Sequence, residues 1–207
     1  MVLIDYEDGK KILDKYKIES VTSRYVKSAD DAVAFANSLN GKEMAMKVIS
    51  KNPEALHKAK KGLVVLNLKE KEDIIKAWKN LESKAKQFIP YKIQAQEMVR
   101  GIEIIVGGRI DPQFGKIVIV GLGGIYVEIL KDFQIGICPV EAKNAGMMID
   151  MLKSKQILLN SIKKERLVKL IMDVSRMMVE NDISELDLNP MIIHDGKIEA
   201  VDIRIIK

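Results

Sequence analysis

Thiol chemistry is almost absent from this chain: its single cysteine, Cys138, excludes an internal disulfide and a metal centre built from several thiolates. The surrounding "QIGICPVE" reads as a buried strand, which makes Cys138 a core residue rather than a nucleophile. No apolar run reaches the roughly 18 residues of a membrane helix, and no signal-peptide pattern is present, so a cytoplasmic protein without a membrane partner is expected. No repeat is present, which argues against a solenoid. Aromatic residues are scarce at 5%. Residues 51 to 92 carry 11 lysines against 5 acidic residues, yet offer few aromatics for base stacking and few arginines for reading base edges. The formal charge of +5 is therefore read as a solvated lysine-rich surface, and no nucleic-acid partner is expected.

With 207 residues, 47% hydrophobic and 30% charged, the chain can bury a proper core as one large domain or two small lobes. The segment "DYEDGKKILDKYKI" has helical spacing, and "SADDAVAFANSLNG" opens with Ser28 and Asp31 in a capping-box arrangement and stops at Asn40-Gly41. Strands are expected at "EMAMKVIS" and "LVVLNL" around the loop "KNPEALHKAKKG", then an amphipathic helix over "KEKEDIIKAWKNLESKA" and a break at Pro90. Closely spaced strands follow: "KIQAQEM", "GIEIIVGGRI", "KIVIVG", "IYVEIL" and "FQIGICPV". Helices return at "AKNAGMMIDMLKS" and "KERLVKLIMDVSRMMVEN", where Leu167, Leu170, Ile171, Val174 and Met178 form one stripe. These elements predict an α+β fold of two lobes, residues 1–94 and 95–207, with a cleft between them suited to a small molecule.

The C-terminal "ELDLNPMIIHDGKIEAVD" carries the most specific local chemistry. Asp195-Gly196 suits a type I′ hairpin turn, and that turn sets Met191 against Ala200 and Asn189 against Asp202, with Asp187 on the same face. Opposed side chains in an antiparallel pair lie ~5 Å apart, so these oxygens converge in the manner that Mg²⁺ selects. A polar hairpin end, with Asp187 paired to Arg204, explains the same residues without a metal. On the first lobe, Lys47 interrupts the strand "MAMKVI", where it either meets an anion or points to solvent while Met44, Met46 and Val48 form the buried face.

Lys47, "AQEM" followed by "GIEIIVG", "DPQFG", "VGLGGIYVE" and "ELDLNPMI…AVD", in this order, resemble the ATP-grasp subunit of NDP-forming acyl-CoA synthetases. Within that family the motifs look like those of β subunits of ADP-forming acetate-CoA ligases, relatives of succinyl-CoA synthetase β subunits. The resemblance implies a two-lobed ATP-grasp fold that binds ATP or ADP with Mg²⁺ in the cleft. It implies Lys47 on the phosphates, Glu97 and Met98 at the adenine, Glu103 at the nucleotide from the second lobe, and Asn189 and Asp202 as magnesium ligands. It places Asp187 where phosphohistidine meets the nucleotide, and His57 as the loop histidine that carries phosphate. Gly123 and Gly124 serve a tight turn or a phosphate, and Glu128 supports a neighbouring ligand or faces outward.

The implied reaction interconverts acetyl-CoA, ADP and phosphate with acetate, CoA and ATP. No Gly-rich dinucleotide fingerprint is present for CoA, so a CoA-binding α subunit in an α2β2 assembly is the implied partner. One loop departs from the family pattern: Lys60 and Lys61 replace an acidic and an apolar position, and Leu63 replaces a glycine. Two alternatives follow, a nucleotide-binding regulatory subunit without phosphoryl transfer and an ATP-grasp ligase subunit for another acid. A basic nucleic-acid-binding α+β protein is a third.

Overall fold

The computed structural model describes residues 2–50, 52, 61–124 and 131–207. The chain forms two compact units, Val21–Val99 and a discontinuous one made of Met1–Ser20 with Arg100–Lys207. The division differs from the expected 1–94 and 95–207, because the first helix joins the C-terminal residues. Its pairing explains why: Leu3 bridges Ile206, and Val2 N–H donates to the Lys207 carbonyl at 2.6 Å. The "IYVEIL" strand lies outside the described residues.

The contiguous unit holds β1 (Ser23–Val26), α2 (Ala29–Ser38), β2 (Met44–Ser50), β3 (Val64–Leu68), α3 (Lys71–Ala85) and β4 (Tyr91–Glu97). Its antiparallel sheet has the order β1-β4-β2-β3. The short β1 was not legible as a strand, since "SRYV" has no clean alternation. Ser28 Oγ caps α2 by accepting from Asp31 N–H at 3.1 Å, while Asp31 accepts from Lys27 N–H at 3.0 Å. One sheet face meets the helices: Met44, Met46, Val48, Ile93 and Ala95 pack with Phe35, Trp78 and Leu81 in a single apolar cluster. Alternation along β2 and β4 therefore sends Lys47, Gln94 and Gln96 to the other face.

The discontinuous unit holds α1 (Tyr6–Lys15), β5 (Ile102–Asp111), β6 (Gly115–Leu122), β7 (Phe133–Ile137), α4 (Ala142–Met151), α5 (Lys155–Leu159), α6 (Lys164–Glu180), β8 (Glu185–His194), β9 (Lys197–Ala200) and β10 (Arg204–Ile206). The strand order is β10-β8-β5-β6-β7, with β9 also on β8. The expected stripe on α6 is buried in full, and with Ile104, Val106, Val118, Leu186 and Leu188 it forms the core. α6 packs close on β5 at Gly108, where a Cβ would sit 2.8 Å from Met178. The opposite sheet face carries Ile105, Gly107, Arg109, Asp187 and Asn189. Cys138 follows β7 and is half-buried, with burial pushing its thiol above the ordinary range. No helix among the described residues is long and apolar enough to cross a membrane.

Candidate functional site

The hairpin turn forms as expected, with Asp195 at φ 46° and Gly196 at φ 69°. Met191 faces Ala200 and His194 faces Lys197 in the β8–β9 ladder. The second strand is not continuous, however. It stops at Ala200 and resumes as β10, where Arg204 faces Asp187. Pro190 explains the interruption: it has no N–H to extend the ladder, and its carbonyl instead accepts from Val201 N–H at 3.0 Å. The ladders on either side keep the same offset, so Asn189 and Asp202 remain level with each other across the gap.

Asp187 is half-buried on the same face as Asn189, because Leu186 and Leu188 turn into the core. Burial pushes its carboxyl above the ordinary range; Arg204 opposes this, while Asp202 and Glu185 add to it. The plain ion pair of Asp187 with Arg204 is not what forms. Arg204 Nη1 donates to Glu185 Oε1 at 2.5 Å, leaving Asp187 with only the more distant attraction. A groove of about 640 Å³ runs over this face, lined by Ile105, Gly107, Arg109, Glu185, Asp187 and Asn189 among others. Gly107 faces Asp187 in the ladder, so on the β5 side no level side chain stands beside that carboxylate.

The donor set suits a hard cation: one amide oxygen and one carboxylate, with a second carboxylate nearby. Asp202 Oδ1 already accepts from Ile203 N–H at 3.1 Å, which orients the carboxylate. Among the described residues no group of three or more His, Cys, Asp or Glu side chains is placed to hold a metal. A cation here would thus take few protein ligands and complete its shell with water and phosphate oxygens, as Mg²⁺ does with nucleotides.

The solvent-facing alternative for Lys47 does not hold. It points away from the apolar core, yet only 5% of it is exposed, and Gln94 and Gln96 beside it are 0% and 2% exposed. A buried polar row on the non-core face is the mark of a polar site rather than a solvated surface. Lys47 and Gln94 are directly opposed in the β2–β4 ladder. Gln94 was missed in the sequence because an alternating glutamine on a strand reads as solvent-facing, and burial on that face has no sequence signature.

Glu97 and Met98 lie at the end of β4, but their N–H groups are engaged: Glu97 donates to Thr22 at 2.8 Å and Met98 to Glu43 at 2.9 Å. The Glu97 side chain is held by Lys42 Nζ at 2.5 Å. Glu103 is exposed on β5, and its carbonyl accepts from Gly123 N–H at 2.7 Å. The two glycines have structural work there, since a Cβ on Gly123 would meet the Glu103 backbone at 2.9 Å and Gly124 has φ +66°. His57 and Glu128 lie outside the described residues. The structure thus gathers Asp187, Asn189 and Asp202 in one unit, and sets Lys47 beside Gln94 and Gln96 in the other.

A family model described as the ATP-grasp domain matches residues 2–206. The chain is 33% identical to the β subunit of an ADP-forming acetate-CoA ligase II from Pyrococcus furiosus, over 99% of this chain and 91% of that one. Among solved structures, an acetyl-coenzyme A synthetase 1 from Ca. Korarchaeum cryptofilum with coenzyme A and Ca-AMPCP has TM-score 0.87 at 31% identity, covering 99% of this chain and 93% of that one. A second structure of that protein, with Mg-AMPPCP and its phosphohistidine segment pointing towards the nucleotide-binding site, has TM-score 0.81 at 29% identity, covering 99% and 92%.

Proposed function

The chain belongs to the ATP-grasp domain family, and from that premise we propose that it is the nucleotide-binding β subunit of an ADP-forming acyl-CoA synthetase. The reaction is acetyl-CoA + ADP + phosphate giving acetate + CoA + ATP. The observation that carries the reading is the level pair Asn189 and Asp202 beside the half-buried Asp187, on a sheet face left open by Gly107. Lys47, buried on a polar strand face, supplies the compact positive charge that phosphate oxygens require.

Asn189 and Asp202 would hold Mg²⁺, which when bound neutralises phosphate charge and fixes the phosphates in line. Asp187, close to Asp202 and Glu185 and raised by burial, meets the imidazole of a phosphohistidine, orients its ring and stabilises the cationic form. The acyl chemistry belongs to a CoA-binding partner subunit: phosphate displaces CoA from the thioester, and a histidine then takes the phosphoryl group from acetyl phosphate and releases acetate. His57 takes it onward, and the terminal oxygen of ADP displaces the imidazole to give ATP. Carbonyl oxygens at Glu97 and Met98 accept from the adenine amine, and Glu103 takes the ribose hydroxyls.

A second reading has one observation in its favour. Leu63, where the family carries glycine, is 0% exposed and its carbonyl holds Val48 N–H at 2.9 Å, tying the loop end to β2. A leucine fixed there has less φ freedom than glycine, which fits a nucleotide-binding subunit without transfer. Reconstitution with the CoA-binding subunit separates the two. ATP formation from acetyl-CoA, ADP and phosphate is expected, with loss of at least a hundred-fold in His57→Ala, the order of effect for removing a covalent carrier. Full activity in that variant removes His57 from the mechanism.

A further inference from the structure

Among the described residues, the buried side-chain polar atoms without a hydrogen-bond partner include both ends of one amide, Nε2 and Oε1 of Gln94. Gln94 is 0% exposed. A buried amide lacking both a donor and an acceptor partner is unfavourable, and native proteins keep such groups where a ligand, ion or catalytic role satisfies them. Its neighbours on β1 offer no relief. Tyr25 is level with Gln94, but the Tyr25 ring carries the Lys92 ammonium 4.3 Å from its centroid. On β2 the level residue is Lys47, itself buried.

Directly opposed side chains have Cβ atoms ~4.5 to 5.5 Å apart, so the Lys47 and Gln94 heads reach the same small group. An isolated anion satisfies only the N–H side of an amide. An anion held by a lysine satisfies both sides, because the amide oxygen then accepts from the ammonium. We propose that Gln94 is a nucleotide-binding residue: Nε2 donates to a phosphoryl oxygen of the nucleotide, and Oε1 accepts from Lys47 Nζ and fixes that ammonium on the same phosphoryl group. The proposal rests on the reading of Lys47 as the phosphate-binding lysine. It assigns to Gln94 a contact that the motifs around Lys47 do not.

Calorimetric titration of the full chain with ADP, alone and with Mg²⁺, tests this beside thermal unfolding of the ligand-free chain. Gln94→Met keeps the shape and removes both polar ends. It is expected to weaken ADP by about ten-fold or more, the equivalent of one hydrogen bond to a charged group, while the ligand-free chain melts about 2 to 4 °C higher. Gln94→Glu sets a carboxylate against the phosphates and is expected to weaken ADP further than Gln94→Met. Wild-type affinity in either variant overturns the proposal, and so does a lower melting temperature or failure to fold in Gln94→Met, because the amide then serves the fold. Failure of the wild-type chain itself to bind ADP overturns the nucleotide reading on which the proposal stands.

Discussion

Replacing Asp187 with Asn removes a charge from a place where the fold does not favour one. Burial raises the Asp187 carboxyl, the neighbouring Asp202 and Glu185 add to that, and Arg204, which opposes it, makes its hydrogen bond to Glu185 rather than to Asp187. A carboxyl raised in the folded state binds more protons there than in the unfolded chain. Stability therefore falls as pH rises from the ordinary value of 3.8 through the raised one, and stays low above it. Asn is nearly isosteric and uncharged, so the variant is expected to be more stable at pH 7.5 by about 0.5 to 2 kcal/mol, the usual gain when a functional-site conflict is removed. For a chain of this size that corresponds to a melting temperature higher by roughly 2 to 6 °C. Urea denaturation of both proteins from pH 4 to 8 measures it: the advantage should shrink as pH falls through the raised value and wild-type Asp187 takes up its proton. ATP formation by the reconstituted enzyme should fall at least ten-fold in the same variant, because the amide cannot stabilise an imidazolium. A variant less stable than wild type at pH 7.5, with a gap indifferent to pH, would refute the reasoning and mean that Arg204 holds Asp187 in a favourable pair.

Asp202→Ala is expected to weaken ADP about ten-fold or more when Mg²⁺ is present and little in EDTA, as titration under the two conditions will show; equal loss in both marks a folding role. Asp132 is 4% exposed and accepts from Lys153 N–H at 2.8 Å and Ser154 N–H at 2.7 Å. Burial pushes its carboxyl up, but the hydrogen bonds from Ser154 and Lys153 outweigh this and hold it below the ordinary range. Its contribution is thus present above pH 3.8 and is lost as pH falls through the lowered value, so Asp132→Ala should cost about 1 to 3 kcal/mol at pH 7, less as acid is added, by urea denaturation.

The hairpin shows how far residue order alone reaches. Asp195-Gly196 fixed the turn and hence the levels of Asn189 and Asp202, since one register follows from one turn. The break after Ala200 was less visible, because it depends on where Pro190 deprives the ladder of a donor. Helices with clear stripes, such as Lys164–Glu180, were legible, whereas Lys155–Leu159 and Ser23–Val26 are too short for periodicity to show. Lys47 was conspicuous by its charge. Its burial, the orphaned amide of Gln94 and the preference of Arg204 for Glu185 over Asp187 are tertiary facts, set by what lies across a ladder and above a sheet face.

The discontinuous unit has a bearing on synthesis at the ribosome. Its first helix, Tyr6–Lys15, packs where Gly9 meets Ile203 and Ile205, and Ile4 N–H donates to the Ile205 carbonyl at 2.9 Å. Those partners lie about 190 residues further along the chain. A helix of ten residues does not hold its shape in water alone, so this segment emerges early and stays unfolded while Val21–Val99 has every residue it needs to fold. At ordinary elongation rates the wait for the second half of the chain is about 5 to 20 s. During that interval residues 6–15 are the exposed ones, open to proteases and chaperones, until β10 arrives to claim them.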